Sequence, residues 1–352
     1  RHTRYISVTG VQTCALPICC KLIDGLTYED AFNGKIRERM GIGERDKINF
    51  VSIRKYAQLV DFRRKGKDKI AVIYAQGDII DGKGDQQNIG SETYLELIRK
   101  VRMDKSILAI VFRINSGGGS AMASESIWRE LSLARKDKPV ILSFGNVAAS
   151  GGYYLSCNAD SIFASPTTIT GSIGVFSILP NMKPFFNDKL GITFDAVKTS
   201  PDADMLSITK PLNDQQRKWL QSDVDTIYHT FITRVADGRR KELSYIDSIG
   251  QGRIWSGQTA VKIGLVDRTG GLNEAISCAA RMAKTTDYKL REYPEPKNLF
   301  ERLFSDWGSS VKTKVLTEEL GRNGMFYYKT FRQVNQYLGS PQARLPFQWM
   351  IE

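Results

Sequence analysis

From residue 69 onward, short uninterrupted apolar runs alternate with longer stretches whose apolar residues recur every three or four positions. Ile70-Ala71-Val72-Ile73-Tyr74 predicts a buried strand, because a strand covered on both faces has no polar side to show. Residues 91–100 predict a helix with Leu95 and Ile98 on one face. A second strand is expected over Ile107–Ile114, running into Asn115-Ser116-Gly117-Gly118-Gly119-Ser120. The helix after it carries Ala123, Ile127 and Leu131 at four-residue spacing. Lys138-Pro139 then opens a strand at 140–144 that leads into Gly145-Asn146-Val147-Ala148-Ala149-Ser150-Gly151-Gly152. A helix through Tyr153, Tyr154 and Leu155 and a short strand at 161–164 follow, and beyond Pro211 helices are expected over 214–240, 256–264 and 272–284.

Strands that alternate with helices and end in glycine-rich turns predict parallel βα units. In such sheets ligands gather at the carboxyl ends of the strands. Both glycine-rich turns fall at such ends, so they are expected to share one site.

The flanks read differently. Residues 1–19 lack an amphipathic period, and TGVQTCALPI resembles adapter read-through more than a domain start, so this stretch is set aside as a non-native leader. Residues 20–68 read as the end of a preceding α/β half and a linker: a short strand and turn at 21–25, a helix through Glu29, Ala31, Phe32 and Ile36, then a charged irregular stretch. The core is expected over 69–290. From 291 to 352 the composition shifts to prolines and aromatics, among them Phe300, Phe304, Trp307, Phe326, Tyr327, Tyr328 and Phe331, which suits an extension packed on the core or on a neighbour. A place for those aromatics at a membrane surface is the alternative.

The chain has 352 residues, 41% hydrophobic and 25% charged, which suits a globular protein with a substantial core. No run approaches the roughly 18 apolar residues that span a bilayer. It begins with Arg1 and reads as a fragment whose start is missing. The formal charge of +12 is scattered apart from Arg63-Arg64-Lys65-Gly66-Lys67. That run has no interleaved stacking aromatics, so a solvated linker is expected rather than a nucleic-acid site, with attraction to an anionic lipid surface as the alternative. Of five cysteines, Cys14, Cys19 and Cys20 lie near the leader, and Cys157 and Cys278 show no metal or redox spacing and read as core thiols. The two histidines, His2 and His229, leave a Ser-His-Asp triad almost no candidate base, and His229 is expected to be a partly buried structural residue.

The chemistry is carried by Ala148-Ala149-Ser150-Gly151-Gly152. A serine at a strand-to-helix turn between small residues leaves room for a substrate carbonyl, and amide dipoles near a helix start favour a developing oxyanion. Gly151 N–H is the natural first donor, and the bend at 117–119 offers a second at Gly118, since glycine permits close approach. A plain helix N-cap stays open beside this reading, and taken alone the pentapeptide favours it.

Seven ordered motifs add to that reading: RINSGGGS at 113–120, AASGGYY at 148–154, TITGSIGVF at 168–176, KTSPDAD at 198–204, FITRVADGR at 231–239, GRIWSGQTA at 252–260 and GLVD at 264–267. With them the chain resembles the C-terminal half of the long, duplicated signal peptide peptidases of the protease IV type, in the Clp protease–crotonase superfamily. The resemblance implies an α/β fold of repeated ββα units wound as a superhelix, with a mostly parallel sheet and C-terminal helices. It implies a serine endopeptidase with Ser150 as nucleophile and Gly118 and Gly151 as oxyanion donors, with no metal or nucleotide cofactor. One departure is visible: the family usually has proline where Gly117 stands, so the bend is expected to be looser.

The resemblance also implies a lysine base, which must be neutral and therefore desolvated. In the long members it comes from the other half, and the matching place here carries Ser161. Short relatives carry it downstream of the serine, where Lys198 and Lys210 lie. The position that aligns with the short form's base nevertheless falls near Asp202 or Ala203, so Lys198 reads as a loop lysine with the base role as the alternative. The isolated chain is therefore expected to be feeble or inactive. The intact protein is expected to degrade apolar signal-peptide remnants at the outer face of the bacterial cytoplasmic membrane, as a homo-oligomer without nucleic acid. Two rivals remain. One is a crotonase-type acyl-CoA enzyme, which needs carboxylates and finds only Asp160 after the serine. The other is a non-catalytic scaffolding half.

Overall fold

The computed structural model describes residues 27–53, 55–56, 66–85, 87–295 and 341–345. The leader at 1–19, the expected strand at 21–25, residues 63–65 of the basic run and the aromatics from Phe300 to Phe331 lie outside these residues. The chain divides into two compact units, 1–62 and 63–352.

In the first unit, helix α1 (Glu29–Met40) forms where the sequence predicted a helix and buries none of its residues. Acidic Glu29 and Asp30 open it and Arg37 and Arg39 close it, the charge order that complements a helix dipole. Gly41 ends it in a left-handed conformation (φ 64°), its N–H reaching the Arg37 and Glu38 carbonyls.

The second unit runs β1 (Asp68–Gln76), β2 (Asp78–Ile80), β3 (Asn88–Gly90), α2 (Ser91–Met103), β4 (Ile107–Ser116), β5 (Gly118–Ser120), α3 (Ala121–Asp137) and β6 (Val140–Ala149). Then come α4 (Gly151–Tyr154), β7 (Ser161–Ala164), β8 (Ile169–Gly171), a π-helical turn at Phe185–Lys189, α5 (Asp214–Arg239) and α6 (Leu243–Ile249). β9 (Ile254–Ser256), α7 (Gly257–Lys262), β10 (Arg268–Thr269), α8 (Leu272–Met282), β11 (Tyr288–Tyr293) and β12 (Gln342–Arg344) complete it.

The main sheet has the order β10-β7-β6-β4-β1-β11, and every neighbouring pair along it is parallel. A second sheet runs β12-β5-β2-β3. The architecture is therefore α/β with a mostly parallel sheet and flanking helices, as the alternation predicted.

The apolar runs explain themselves once the central strands are seen to be covered on both faces. Ala71, Ile73, Ile110, Phe112, Ile114, Leu142 and Phe144 point into one core with Ile98, Ile127, Tyr153 and Phe231. Their alternates Ile70, Val72, Ala109, Val111 and Ile141 point into a second core beneath α8, with Ala275, Ile276 and Ala279. Each fully buried aliphatic contributes about 1.5–3 kcal/mol. Helix α2 turns Tyr94, Ile98 and Val101 inward, and α3 buries Ala123, Ile127 and Leu131. Cys157 and Cys278 are buried free thiols, and burial pushes the Cys157 thiol up to about 12.

β11 pairs in parallel with β1, so the expected core limit at 290 falls inside a strand. β12 belongs to the expected extension and pairs with β5 of the core.

Candidate active site

Strand β6 delivers the serine by changing neighbours halfway. Its first part pairs with β7 through Ile141, Leu142 and Ser143, and its last part pairs with β8 through Val147, Ala148 and Ala149. Ser150 continues that second ladder, its N–H reaching the Gly171 carbonyl at 2.8 Å. The chain then breaks sharply: Ser150 has φ 52° and ψ −116°. A side-chain-bearing residue adopts that conformation only at a cost of about 1–3 kcal/mol, so the surrounding ladder must hold it there. A strained serine between a strand and a helix is the geometry of a nucleophile elbow. The Ser150 side chain makes no capping hydrogen bond, which removes the plain N-cap reading. The expected helix is one turn, α4, so it contributes local amides rather than a long helix dipole.

The second strained residue is Ser172 (φ 48°), at the end of β8. Its N–H reaches the Arg253 carbonyl at 2.7 Å, and Gly252 N–H reaches the Ile173 carbonyl at 2.7 Å. These bonds extend the antiparallel β8–β9 pairing, so TITGSIGVF and GRIWSGQTA form one wall of the site. Ser150 Oγ lies 3.4 Å from the Gly174 carbonyl on that wall. FITRVADGR and GLVD meet underneath. Arg239 pairs with Asp267 at 2.5 Å, and the Tyr153 hydroxyl donates to the Leu265 carbonyl at 2.8 Å. Glu125 accepts from both the Tyr154 hydroxyl and Arg234, tying α4 to α3 and α5.

The two glycine-rich turns meet. A methyl group on Gly118 would lie 2.8 Å from the Gly151 nitrogen, so only glycine allows this approach. Gly118 also has φ 103°, which a side chain resists. The β4–β6 ladder shifts register between Ile114 and Ser116, and this irregularity turns the bend toward β6. Gly118 N–H donates to the Ser116 hydroxyl at 3.1 Å. The expected second oxyanion donor is thus held by a neighbouring side chain in this structure.

Among the described residues, the remaining candidates make no hydrogen bond or ion pair with Ser150. Lys198 forms an ion pair with Asp204 at 3.1 Å, and Lys210 pairs with the same carboxylate. The hydrogen bond to Asp204 holds the Lys198 ammonium above the usual lysine range, the opposite of what a neutral base needs. Asp202 accepts from Gln216 in the α5 capping region, and Ala203 belongs to the same turn. His229 is exposed on α5 rather than partly buried, because it falls on the helix face turned away from Phe231 and Ile232. Asp160 and Ser161 stand at the opposite end of the β6–β7 ladder, where Ser161 pairs with Ile141. That is roughly 30 Å of strand from Ser150. Asp160 is occupied there by Arg135 at 2.7 Å and Val140 N–H at 2.8 Å, which takes away the single carboxylate of a crotonase-type reading.

Sequence reasoning left three features of the site without a role: Ser116, Ser172 and the β12 segment. Ser116 and Ser172 lay inside quoted motifs, but a hydroxyl's partner and a positive φ are not readable from residue type. β12 is three residues of mixed polarity with no period to detect.

Comparisons with known proteins identify the family. Residues 132–286 match the model of peptidase family S49. The chain is 36% identical over 311 residues to protease 4 of Salmonella typhi, covering 88% of this chain and 50% of that protein. It is 34% identical over 301 residues to the chloroplastic serine protease SPPA of Arabidopsis thaliana, covering 82% of this chain and 44% of the relative. A putative signal peptide peptidase SppA of Enterococcus faecium is 33% identical over 244 residues, covering 68% of this chain and 70% of that protein. The chain thus spans about half the length of protease 4 and somewhat less of the chloroplastic enzyme, while covering most of the shorter relative. On these matches, the chain belongs to peptidase family S49.

Proposed function

We propose that this chain is the serine-bearing part of a Ser-Lys endopeptidase that degrades signal-peptide remnants, with its lysine supplied by a part of the protein outside this sequence. The observation that carries the proposal is the strained Ser150 turn lying against the Gly118 bend.

In the first step a neutral amine takes the Ser150 hydroxyl proton as Oγ bonds to the scissile carbonyl carbon. The carbonyl oxygen becomes anionic against Gly151 N–H and, once the Ser116 hydroxyl turns aside, Gly118 N–H. The C–N bond then breaks as the ammonium returns its proton to the leaving amine. Water, deprotonated by the same amine, attacks the acyl-enzyme and releases the new carboxyl group and the serine. Oxyanion donors of this kind each contribute about 3 kcal/mol to the transition state.

Among the described residues, the partner recorded for Ser150 Oγ is a carbonyl, and no lysine, histidine or carboxylate bonds to it. This supports a base brought in from elsewhere, as does the Lys198–Asp204 pair. Among the described residues no helix is long and apolar enough to cross a membrane. Placement at the outer face of the bacterial cytoplasmic membrane and assembly into a homo-oligomer belong to the same proposal, and rest on the resemblance to the long signal peptide peptidases.

The experiment is reconstitution. Purified chain is assayed on an apolar peptide ester alone and with the upstream half added. Feeble hydrolysis alone and full hydrolysis on mixing are expected. A full enzyme's rate from the chain alone would show that the base lies within it.

A further inference from the structure

A polar cavity opens on the face of the main sheet turned away from the Tyr153 core. Strands β1, β4 and β6 lie side by side in register, so their side chains form rows across the sheet. The row Val72, Val111 and Ile141 is apolar and packs with α8. Two residues further along each strand, on the same face, the row reads Tyr74, Arg113 and Ser143, and Gln76 and Asn115 follow it. The face therefore turns from apolar to polar within one row. Tyr74, Gln76, Arg113 and Asn115, with Gly145 and Asn146 of β6, line a cavity of about 220 Å³ there.

Arg113 supplies the only charge in that lining. It is half-buried, and its Nη1 donates to the Ser143 hydroxyl at 2.9 Å and to the Phe144 carbonyl. Those bonds fix the plane of the guanidinium. Among the described residues its Nε and Nη2 donate to nothing, and no carboxylate pairs with it. Arg135, Arg234 and Arg239 are also partly covered, and each of them holds a carboxylate. Burial pushes the Arg113 guanidinium below its usual value, yet an arginine stays charged. Asn115 Oδ1 accepts from Val147 N–H at 3.1 Å, which orients the amide and leaves its Nδ2 as the free donor. The Asn115 carbonyl accepts from Gly77 N–H at 3.1 Å, so the residue is pinned from both sides. A methyl group on Gly145 would lie 2.7 Å from Asn115 Oδ1, so glycine is what leaves this amide in place. Glu292 on β11 is engaged by the Tyr74 hydroxyl at 3.2 Å, and none of the described lining residues is acidic.

We propose that this cavity binds a carboxylate, with Arg113 supplying the charge, Asn115 a fixed amide donor, and the exposed Gln76 and Asn146 further donors at the rim. A guanidinium held in one plane matches the paired oxygens of a carboxylate in two parallel hydrogen bonds. One positive charge among neutral amides balances a monoanion and leaves a doubly charged phosphate half compensated. The cavity is smaller than the pockets that enclose drug-sized ligands, which suits a small acid or the last residue of a peptide. Both present the same chemistry. The site goes beyond the peptidase reading of Ser150 and does not rest on it.

The test titrates the full chain into N-trifluoroacetyl-alanine and reads the bound fraction from the width of the fluorine resonance. Arg113→Gln removes the charge and should weaken binding about tenfold or more. Asn146→Asp and Gln76→Glu each set a carboxylate at the exposed rim, and each should weaken binding about fivefold. Should Arg113→Gln fail to fold, the two rim variants decide. The uncharged N-trifluoroacetyl-alanine amide should bind about tenfold more weakly than the acid. Competition separates the two sources of the carboxylate. Equal displacement by acetate and N-acetyl-alanine would assign a free small acid, and stronger displacement by N-acetyl-alanine would assign a peptide terminus; either bears the proposal out. Absence of broadening would overturn it, as would equal binding of the acid and the amide, or stronger displacement by inorganic phosphate than by either acid. Binding indifferent to the rim variants would also overturn it, because the probe would then occupy another part of the chain.

Discussion

The two ends of strand β6 are built on opposite principles. At its start, charge is abundant, and Asp160, Arg135 and Lys138 are all paired. Asp160 accepts from Arg135 and Val140, and the Lys138 ammonium donates to the carbonyls of Val101, Asp104 and Ile107 at 3.0, 2.5 and 2.8 Å. At its end there is little charge but two strained serines, a left-handed glycine and a fully buried hydroxyl. The proposed nucleophile therefore stands away from the cluster of ionisable groups. The charged end fixes the ladder, and the strained end is held in a conformation that has no packing advantage of its own.

The sharpest way to break this contrast is Ser150→Ala in the enzyme reconstituted with the proposed lysine-bearing half. Turnover of a peptide ester should fall on the order of 10⁶-fold, while the circular dichroism spectrum is unchanged. Gly118→Ala comes next. Its methyl would crowd Gly151 and resist φ 103°, so turnover in the same assay should fall by about 10²–10³ with a smaller change in KM.

At the charged end the effect should be on stability alone. Asp160→Ala leaves Val140 N–H and Arg135 Nε without their acceptor and should lower the unfolding free energy by about 2 kcal/mol in a urea titration. The folded fraction should still react at Ser150 at an unaltered rate. A loss of reactivity there would erase the distinction between the two ends.

Two smaller effects sharpen the account. Ser116→Ala removes the hydroxyl that holds Gly118 N–H, and kcat should rise about threefold if that bond must break before the oxyanion forms. Lys198→Met should change nothing in the pH profile of kcat/KM. The ammonium is held protonated by Asp204 to a pH above the usual lysine range, so it carries charge throughout the working range and titrates only above it. A lost alkaline or acidic limb in that variant would return Lys198 to the mechanism.

How much of this was readable in advance depended on how local the signal was. The runs 70–73 and 107–114 announced central strands because both faces are buried, although Tyr74 at the end of the first run is exposed, and Ala123, Ile127 and Leu131 announced α3 because one face is buried. Strands β2, β3, β5, β8 and β9 have three residues each, too short for a period to mark them, and all but β3 also pair with a strand far away in sequence. β11 alternates exposed and buried positions irregularly at the sheet edge, which hid it among polar residues. Ser150 was legible through its small neighbours and motif. Its strained dihedrals and the pairing of β12 with β5 were not, because each depends on a contact between distant parts of the chain, and the local bond from Gly118 N–H to the Ser116 hydroxyl depends on dihedrals that residue type does not give.

The most direct test is chemical. The chain, assembled with the proposed lysine-bearing half, is treated with an alkyl fluorophosphonate and mapped by peptide mass spectrometry. A single phosphonyl adduct on Ser150, absent from the Ser150→Ala version of the same protein, is the predicted result. A folded protein with no adduct, or with the adduct on another residue, would contradict the assignment of Ser150 as the nucleophile.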